Sequence, residues 1–280
     1  MQQNRYTPMP AWRPQSIRLT IRLFFRLQTM QIRVGLEYSS DFWIGMLGSA
    51  ALHGAGVIFI AAFFSQIPEI DGWNAWEVGL LYSLALIPRG FCELFCDGPW
   101  MLRTSVNRGE FDRLLVRPVS PALQMACSIV SLHGFGQLGL GLTVFFVANA
   151  QLNIDWSAGK IGFLLMILLS SVVMLAAINF LVNLIGFWEP SAQSAIPTFG
   201  AMLIDVAKFP LTVFPPVLQG LIVVVLPYAF ITWFPALVLL DRPSDWRWLG
   251  YLAPLATLWM VVITSFLWRR GINRYQGVGH

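Results

Sequence analysis

Charged side chains are scarce: Asp, Glu, Lys and Arg make up 11% of the 280 residues, where soluble domains carry roughly 25%. That shortage excludes a water-soluble fold, and 56% hydrophobic residues with a mean hydropathy of +0.65 agree with the exclusion. Lysine is nearly missing, with Lys160 and Lys208 alone. Neither stands in the GxxxxGK[ST] pattern that cradles a nucleotide phosphate, so this chain is expected to bind no ATP and no other cofactor. Cysteine is sparse too. Cys92, Cys96 and Cys127 lie in or beside apolar stretches, their spacing fits no zinc site, and they read as small packing residues, not as a disulfide framework. No nucleophile with a base and no metal-ligand spacing is present, so the chain does not read as an enzyme. No succession of ten-residue alternating strands suggests a barrel. Nor does the N-terminus look like a cleavable signal, because arginine interrupts its first apolar run every few residues and no small-residue cleavage site follows.

What is present is a series of apolar stretches near the roughly 20 residues a helix needs to cross about 30 Å of hydrocarbon. Five are plain, at 41–66, 76–102, 122–150, 159–188 and 246–268. Between the last two, residues 191–240 contain Pro197, Pro210, Pro215, Pro216, Pro227 and Pro235, too many for one straight helix. Orientation follows from arginine, which is in excess in cytoplasmic loops. Arg5, Arg13, Arg18, Arg22, Arg26 and Arg33 precede the first span, Arg103, Arg108, Arg113 and Arg117 follow the second, and Arg269, Arg270 and Arg274 end the chain. The loop between the first two spans holds Glu69, Asp71 and Glu77 without a basic residue, which suits the outer face. Both termini are then cytoplasmic and the number of crossings is even. One solution places a fifth span at 191–211 and lets 213–240 dip in from the outer face as a re-entrant pair of short helices, which is tolerated where protein buries them. The other makes 217–240 the fifth span and lays the earlier piece in the inner interface, since Asp205 and Lys208 weaken it as a crossing helix. Either way the fold class is an all-α polytopic bundle of six spans. A cytoplasmic tail and interface helix (1–40) precede a single transmembrane domain (41–280).

Two cytoplasmic elements stand out. Arg18, Arg22 and Arg26 fall at i, i+4 and i+8 on one helical face among Ile, Leu and Phe, the pattern of an amphipathic helix lying on membrane lipids. After the second span, Gly109 opens a short segment in which Phe111, Leu114 and Leu115 share a face, while Glu110, Asp112, Arg113 and Arg117 take the other sides. Pro118 and Pro121 stop it. The spacing predicts a small helix presenting apolar residues to a soluble protein.

Within the second span, Arg89, Glu93 and Asp97 recur every four residues, so they share a face and Arg89 can pair with Glu93. They read either as a candidate pathway for cargo or as a brace near the inner end. His53 and His133, each alone in a span, read as satisfied buried histidines. Gly45, Ser49, Ala50 and Gly54 in the first span, and Gly134, Gly136, Gly139 and Gly141 in the third, predict close helix packing, within the chain or across a dimer seam. Trp73, Trp76, Trp156, Trp246 and Trp248 lie where an outer aromatic belt is expected.

The order of a basic amphipathic helix, two spans, the element GEFDRLLVRPVSP and four further spans resembles the membrane domain of type 2 ABC exporters, in which such a loop forms the coupling helix. KFPLTVFPP, VLPYAFITWFPA and RRGINRYQGVG are similar to a branch of uncharacterised permeases related to daunorubicin-type drug exporters, and the likeness runs over roughly 18–279. The resemblance implies that Gly109, Glu110, Phe111, Asp112, Arg113, Leu114, Leu115 and Pro118 couple to a P-loop ATPase subunit that carries the ATP and magnesium. It implies a second membrane subunit, identical or paralogous, a re-entrant outer hairpin before the sixth span, and a bacterial inner membrane as the location. The cargo expected is a hydrophobic or amphipathic compound, cationic and drug-like in one version; no nucleic acid is involved. The alternative class is an ATP-independent secondary transporter or channel, where broken helices and intramembrane charges also occur, although the two halves show no repeat.

Overall fold

The computed structural model describes residues 17–37, 39–189 and 195–275. Arg5, Arg13, the first residues of the expected fifth span (191–194) and the end of the RRGINRYQGVG segment lie outside them. Among the described residues every regular element is helical. Helix α1 is Ile17–Glu37, α2 Ser39–Gln66 and α3 Ala75–Cys96; the short α4 (Leu102–Asn107), α5 (Phe111–Leu115) and α6 (Pro121–Ala126) follow, then α7 (Gly134–Leu152) and α8 (Ala158–Asn183). The chain closes with α9 (Ala195–Val206), α10 (Pro216–Gly220), α11 (Trp233–Leu239) and α12 (Ala253–Arg274). Among the described residues five stretches are long and apolar enough to cross a membrane, or six if the pair Pro216–Val225 and Tyr228–Leu239, bent by 73°, counts as one.

α3 is the central helix, buried along Val78 to Pro88. Its start is fixed by a capping box: the Asn74 side chain accepts from the Trp76 and Glu77 amides, and Glu77 accepts from the Asn74 amide at 2.9 Å. Its partner α7 comes close enough for backbones to meet. A Cβ on Gly90 would lie 2.9 Å from the Gly134 carbonyl oxygen, and one on Gly134 2.7 Å from that of Gly90, so only glycine fits at both positions. α12 packs along α8 through two hydroxyls one heptad apart: Thr257 Oγ1 donates to the Ser170 carbonyl at 3.2 Å and Thr264 Oγ1 to that of Ala177 at 3.1 Å. α2 is the least covered of the long helices, with Ile44, Leu52 and Ile58 about 70% exposed.

The boundaries of the second and third spans differ from the sequence expectation, and the last helix, expected to end at 268, runs on to Arg274. The second span ends as a continuous helix at Cys96, not at 102, because the chain turns at Asp97 and Gly98, and a Cβ on Gly98 would overlap the Met125 carbonyl. The third span, expected from 122, starts only at Gly134. Hydropathy carries on through 122–133, but Ser128 and Ser131 bend the chain back to tie it to α3: the Ser131 amide donates to the Glu93 carbonyl at 3.2 Å and Ser128 Oγ to that of Gly98 at 3.4 Å.

Of the expected fifth span, 191–211, the described residues form a helix only over the 12 of α9, ended by Pro210 and a 3-10 turn at Leu211–Val213. Twelve residues reach about 18 Å. Position along the long helices can be read from side-chain partners. Gly200 lies against Val182, near the last turn of α8, whereas Asp205 reaches Arg89, in the middle of α3, and Lys208 lies over the Tyr82 ring, still nearer the start of α3. α9 therefore climbs from the Asn183 end of the bundle toward the Ala158 end. The bend of the broken pair is buried, with the Tyr228 hydroxyl donating to the Gly200 carbonyl at 2.9 Å and Thr232 Oγ1 to that of Ala207 at 2.7 Å. From there α11 runs to the Ala158 end, where the Leu239 carbonyl accepts from Lys160 Nζ at 3.1 Å.

That end is drawn together by charge. Arg242 makes a fork with Glu77, at 3.1 Å and 2.8 Å, donates to the Gly72 carbonyl, and stacks 4.1 Å over Trp73. Trp73 is consequently buried and is no belt residue; Trp76, Trp246 and Trp248 stay exposed as expected. Asp241, in the left-handed region at φ 51°, bridges Lys160 and Arg247 at 2.5 Å each.

Candidate functional site

Arg89, Glu93 and Asp97 open onto a cleft between α3, α8 and α9, whose apolar walls include Leu175, Ile178, Val182, Ile204 and Tyr228. Arg89, Glu93 and Asp97 all line it, so the helical spacing read from sequence places them together. Arg89 Nε pairs with Glu93 Oε1 at 3.2 Å, the i, i+4 bond expected. Four partners come from elsewhere in the chain. Arg89 Nη1 also reaches Asp205 Oδ1 at 3.2 Å, and Lys208 Nζ lies 2.6 Å from the same oxygen. Gln137 Nε2 donates to Glu93 Oε2 at 2.6 Å, and His133 Nε2 stands 3.5 Å from that atom. Asp97, just past the end of α3, accepts from Ser131 Oγ and, among the described residues, is bonded to no cation.

The cleft thus combines a large apolar wall with a balanced ion network and one further carboxylate. A lining of that composition is chemically suited to a molecule with an apolar body and a polar or positive end. The His133 reading is corrected: its side chain is 46% exposed at the start of α7 and faces a carboxylate, because the third span begins later than hydropathy suggests. Sequence reasoning took Asp205 and Lys208 only as obstacles to a crossing helix. Opposite charges three residues apart in an apolar segment were the available signal that they neutralise each other.

The element at 109–118, expected to dock a soluble partner, is folded as a helix over Phe111–Leu115, but faces otherwise than its periodicity suggests. Gly109, at φ 69°, makes the turn into α5 that a residue with a Cβ adopts poorly. Phe111 is fully buried, its ring set edge-on to Phe187 and Tyr275 at 5.1 Å each and to Trp268 at 6.1 Å. The apolar face of α5 thus seals the ends of α8 and α12 and offers no free docking patch; Leu114 and Leu115 are half-buried against the same cluster. Gln124 Nε2 fixes the following turn by donating to the Leu114 carbonyl at 3.0 Å and that of Val119 at 2.7 Å. Burial, then the neighbouring Asp112 carboxylate, push the Tyr275 hydroxyl up to about 12. The surface turned outward is Glu110, Asp112, Arg113, Val116, Arg117 and Pro118. Arg18, Arg22 and Arg26 are exposed on α1, which is helical as expected.

Among the described residues no group of three His, Cys, Asp or Glu side chains could hold a metal ion, and the three cysteines are unpaired. The family model described as ABC-2 family transporter protein matches residues 51–279, from the middle of α2 through the C-terminal segment. No curated protein and no solved structure matches the chain.

Proposed function

Because the chain belongs to the ABC-2 family of transporter proteins, a family of membrane transport components, we propose that it is the permease subunit of an ATP-driven exporter. Its motor is a separate P-loop ATPase that holds the ATP and magnesium, and its translocation path is shared with a second membrane subunit, identical or paralogous. The observation that carries the reading is the family match over a helical bundle whose short element 109–118 is wedged against the ends of two long helices, α8 and α12. A push on the outward surface of that element reaches both helices through Phe111. Gly109, Glu110, Asp112, Arg113 and Pro118 receive the motor, while Phe111, Leu114 and Leu115 pass the load inward.

Six crossings with both ends in the cytoplasm of a bacterial inner membrane complete the reading. The fifth is the expected 191–211, which includes α9, and the bent pair is a re-entrant hairpin from the outer face. Support comes from the direction of α9, from the burial of the bend beside Gly200, and from the return of α11 to Lys160 at the opposite end. Between Lys208 and Pro216 the chain has only a few residues, one 3-10 turn among them, too little to carry it back across the bundle. The cargo is a hydrophobic or amphipathic compound, and a cationic group on it is favoured by Asp97.

The test is to purify the tagged chain from membranes of its own host in mild detergent and identify what accompanies it. A P-loop ATPase in stoichiometric amount, with vanadate-sensitive ATP hydrolysis, is the expected result. Solute uptake by vesicles containing the chain alone, without nucleotide, would instead establish a secondary transporter or channel.

A further inference from the structure

Helix α1 carries a surface that the permease reading leaves without a task, and we propose that it is a binding site for anionic phospholipid headgroups. The inference rests on the chain being a membrane protein and not on its motor or cargo.

Depth comes first. α3 has 22 residues, about 33 Å at 1.5 Å per residue, so its last turn marks one boundary of a hydrocarbon layer about 30 Å thick. α1 is fastened at that level. Gln28, only 2% exposed, donates from Nε2 to the Phe95 carbonyl in the last turn of α3 at 2.6 Å, and Gln31 Nε2 donates to the Ser128 carbonyl at 3.0 Å. Both acceptors are free for this because α3 ends at Cys96 and the chain at Ser128 is not helical. The two glutamines therefore hold α1 where headgroups meet acyl chains.

The surface follows. At about 100° per residue, Arg18, Arg22, Arg26 and Arg33 fall within an arc of about 80° on the side away from Gln28 and Gln31. All four are exposed, and among the described residues none forms an ion pair. Large apolar side chains flank the arc on both sides, Phe25 and Ile21 on one, Met30 and Val34 on the other, each more than half exposed. No acidic residue occurs in α1 before Glu37. Guanidinium groups between apolar flanks, held at the edge of the hydrocarbon, meet phosphate with the arginines and acyl chain with the flanks. A guanidinium also matches the paired oxygens of a phosphodiester better than an ammonium does.

The experiment uses the full chain in neutral detergent, titrated with phosphatidylglycerol or phosphatidylcholine. Lipid retention is read by native mass spectrometry, and the thermal midpoint is read in parallel. Wild type is expected to retain phosphatidylglycerol in preference to phosphatidylcholine and to melt higher as it is added, with inorganic phosphate at the same concentration leaving retention unchanged. R18Q/R22Q/R26Q/R33Q is expected to lose about tenfold or more in phosphatidylglycerol affinity while melting like wild type in phosphatidylcholine. The corresponding four lysine substitutions keep the charge and recover most of the affinity. Gln28→Leu lowers the preference for phosphatidylglycerol with every arginine in place, because the depth of α1 is no longer set. Equal retention of the two lipids by wild type, or undiminished phosphatidylglycerol retention by the quadruple glutamine variant, overturns the proposal. So does a quadruple variant that keeps the lipid but loses a co-purifying ATPase, since the arginines would then serve a protein partner. None of the lipid measurements requires the ATPase, so their failure leaves the permease reading standing.

Discussion

Phe111→Ala separates a wedge from a docking residue. The ring is fully buried and meets Phe187, Trp268 and Tyr275 edge-on. Core Phe→Ala substitutions cost about 3–5 kcal/mol, and each edge-on pair contributes about 0.5–1.5 kcal/mol beyond burial. α5 has five residues and sits at the edge of the bundle, where partial collapse is easy, so the lower end applies: about 3 kcal/mol. At about 2–4 °C per kcal/mol for a chain of this size, the melting midpoint should fall by about 6–12 °C. Phe111→Leu, which keeps most of the volume, should lose about a third of that. Val116→Asp is the control, because its side chain is 82% exposed and its loss should leave the midpoint within about 1–2 °C. The assay is thermal loss of the monodisperse peak in size-exclusion chromatography in detergent, with ATPase co-purification scored on the same preparations. Val116→Asp and Arg113→Glu should weaken co-purification at unchanged midpoint. A Phe111→Ala protein that melts with wild type refutes the wedge, whatever it does to the ATPase.

Gly134→Ala should destabilise by about 1–3 kcal/mol, since its Cβ meets a backbone oxygen of α3, whereas Gly139→Ala, with nothing within 4 Å, should be neutral; equal midpoints deny the backbone contact. Arg242→Ala leaves Glu77 partly buried with its amide donor but no cation, and should cost about 2 kcal/mol; adding Glu77→Gln should recover part of this, a coupling a double-mutant cycle will measure. The hydrogen bond from Lys160, then the charges of Lys160 and Arg247, hold the Asp241 carboxyl below its ordinary value. A depressed acid contributes its stability above the unfolded value near 4 and loses it as pH falls through the folded one. The gap in midpoint between wild type and Asp241→Asn, a substitution that tolerates φ 51°, should therefore be small at neutral pH and close below about pH 4; a gap independent of pH means the tie is not ionic.

Sequence reached furthest where a local rule and the tertiary structure agree. α3 begins where Asn74 and Glu77 form a capping box, α8 fills its hydropathic run, and Arg89 meets Glu93 because i, i+4 is a property of any helix. It failed where an apolar run changes direction. Nothing in the hydropathy of 122–133 marks the break before Gly134, because that break is made by bonds from Ser131 to Glu93 and from Ser128 to Gly98, far earlier in the chain. The periodicity of α5 identified an apolar face but not its destination, since Phe187, Trp268 and Tyr275 lie 76 to 164 positions away in the chain. Arg89 with Asp205 has the same character: each charge was visible, and their meeting depends on how α9 lies.

The bonds around the cleft also differ in what it costs to break them. The Ala158 end is held by the forked Arg242 and by Asp241 between two cations, and the opposite end by the Phe111 cluster, so separation at either strips a partly buried group of its partner. The seam between α3 and α9 is different. Of the four charges there, Arg89 and Glu93 both belong to α3, while Asp205 and Lys208 both belong to the α9 segment. Parting the two therefore breaks the 3.2 Å ion pair between Arg89 and Asp205 and lifts Lys208 off the Tyr82 ring, and it leaves a neutral pair on each side. An isolated charge in a low-dielectric interior costs several kcal/mol, whereas dividing this network strands none. Lys208, nearly inaccessible, keeps its carboxylate 2.6 Å away throughout, and Asp205, half exposed, keeps its access to water. In electrostatic terms the α3–α9 wall of the cleft is thus less costly to part than the Ala158 end, where Glu77 would lose the Arg242 fork.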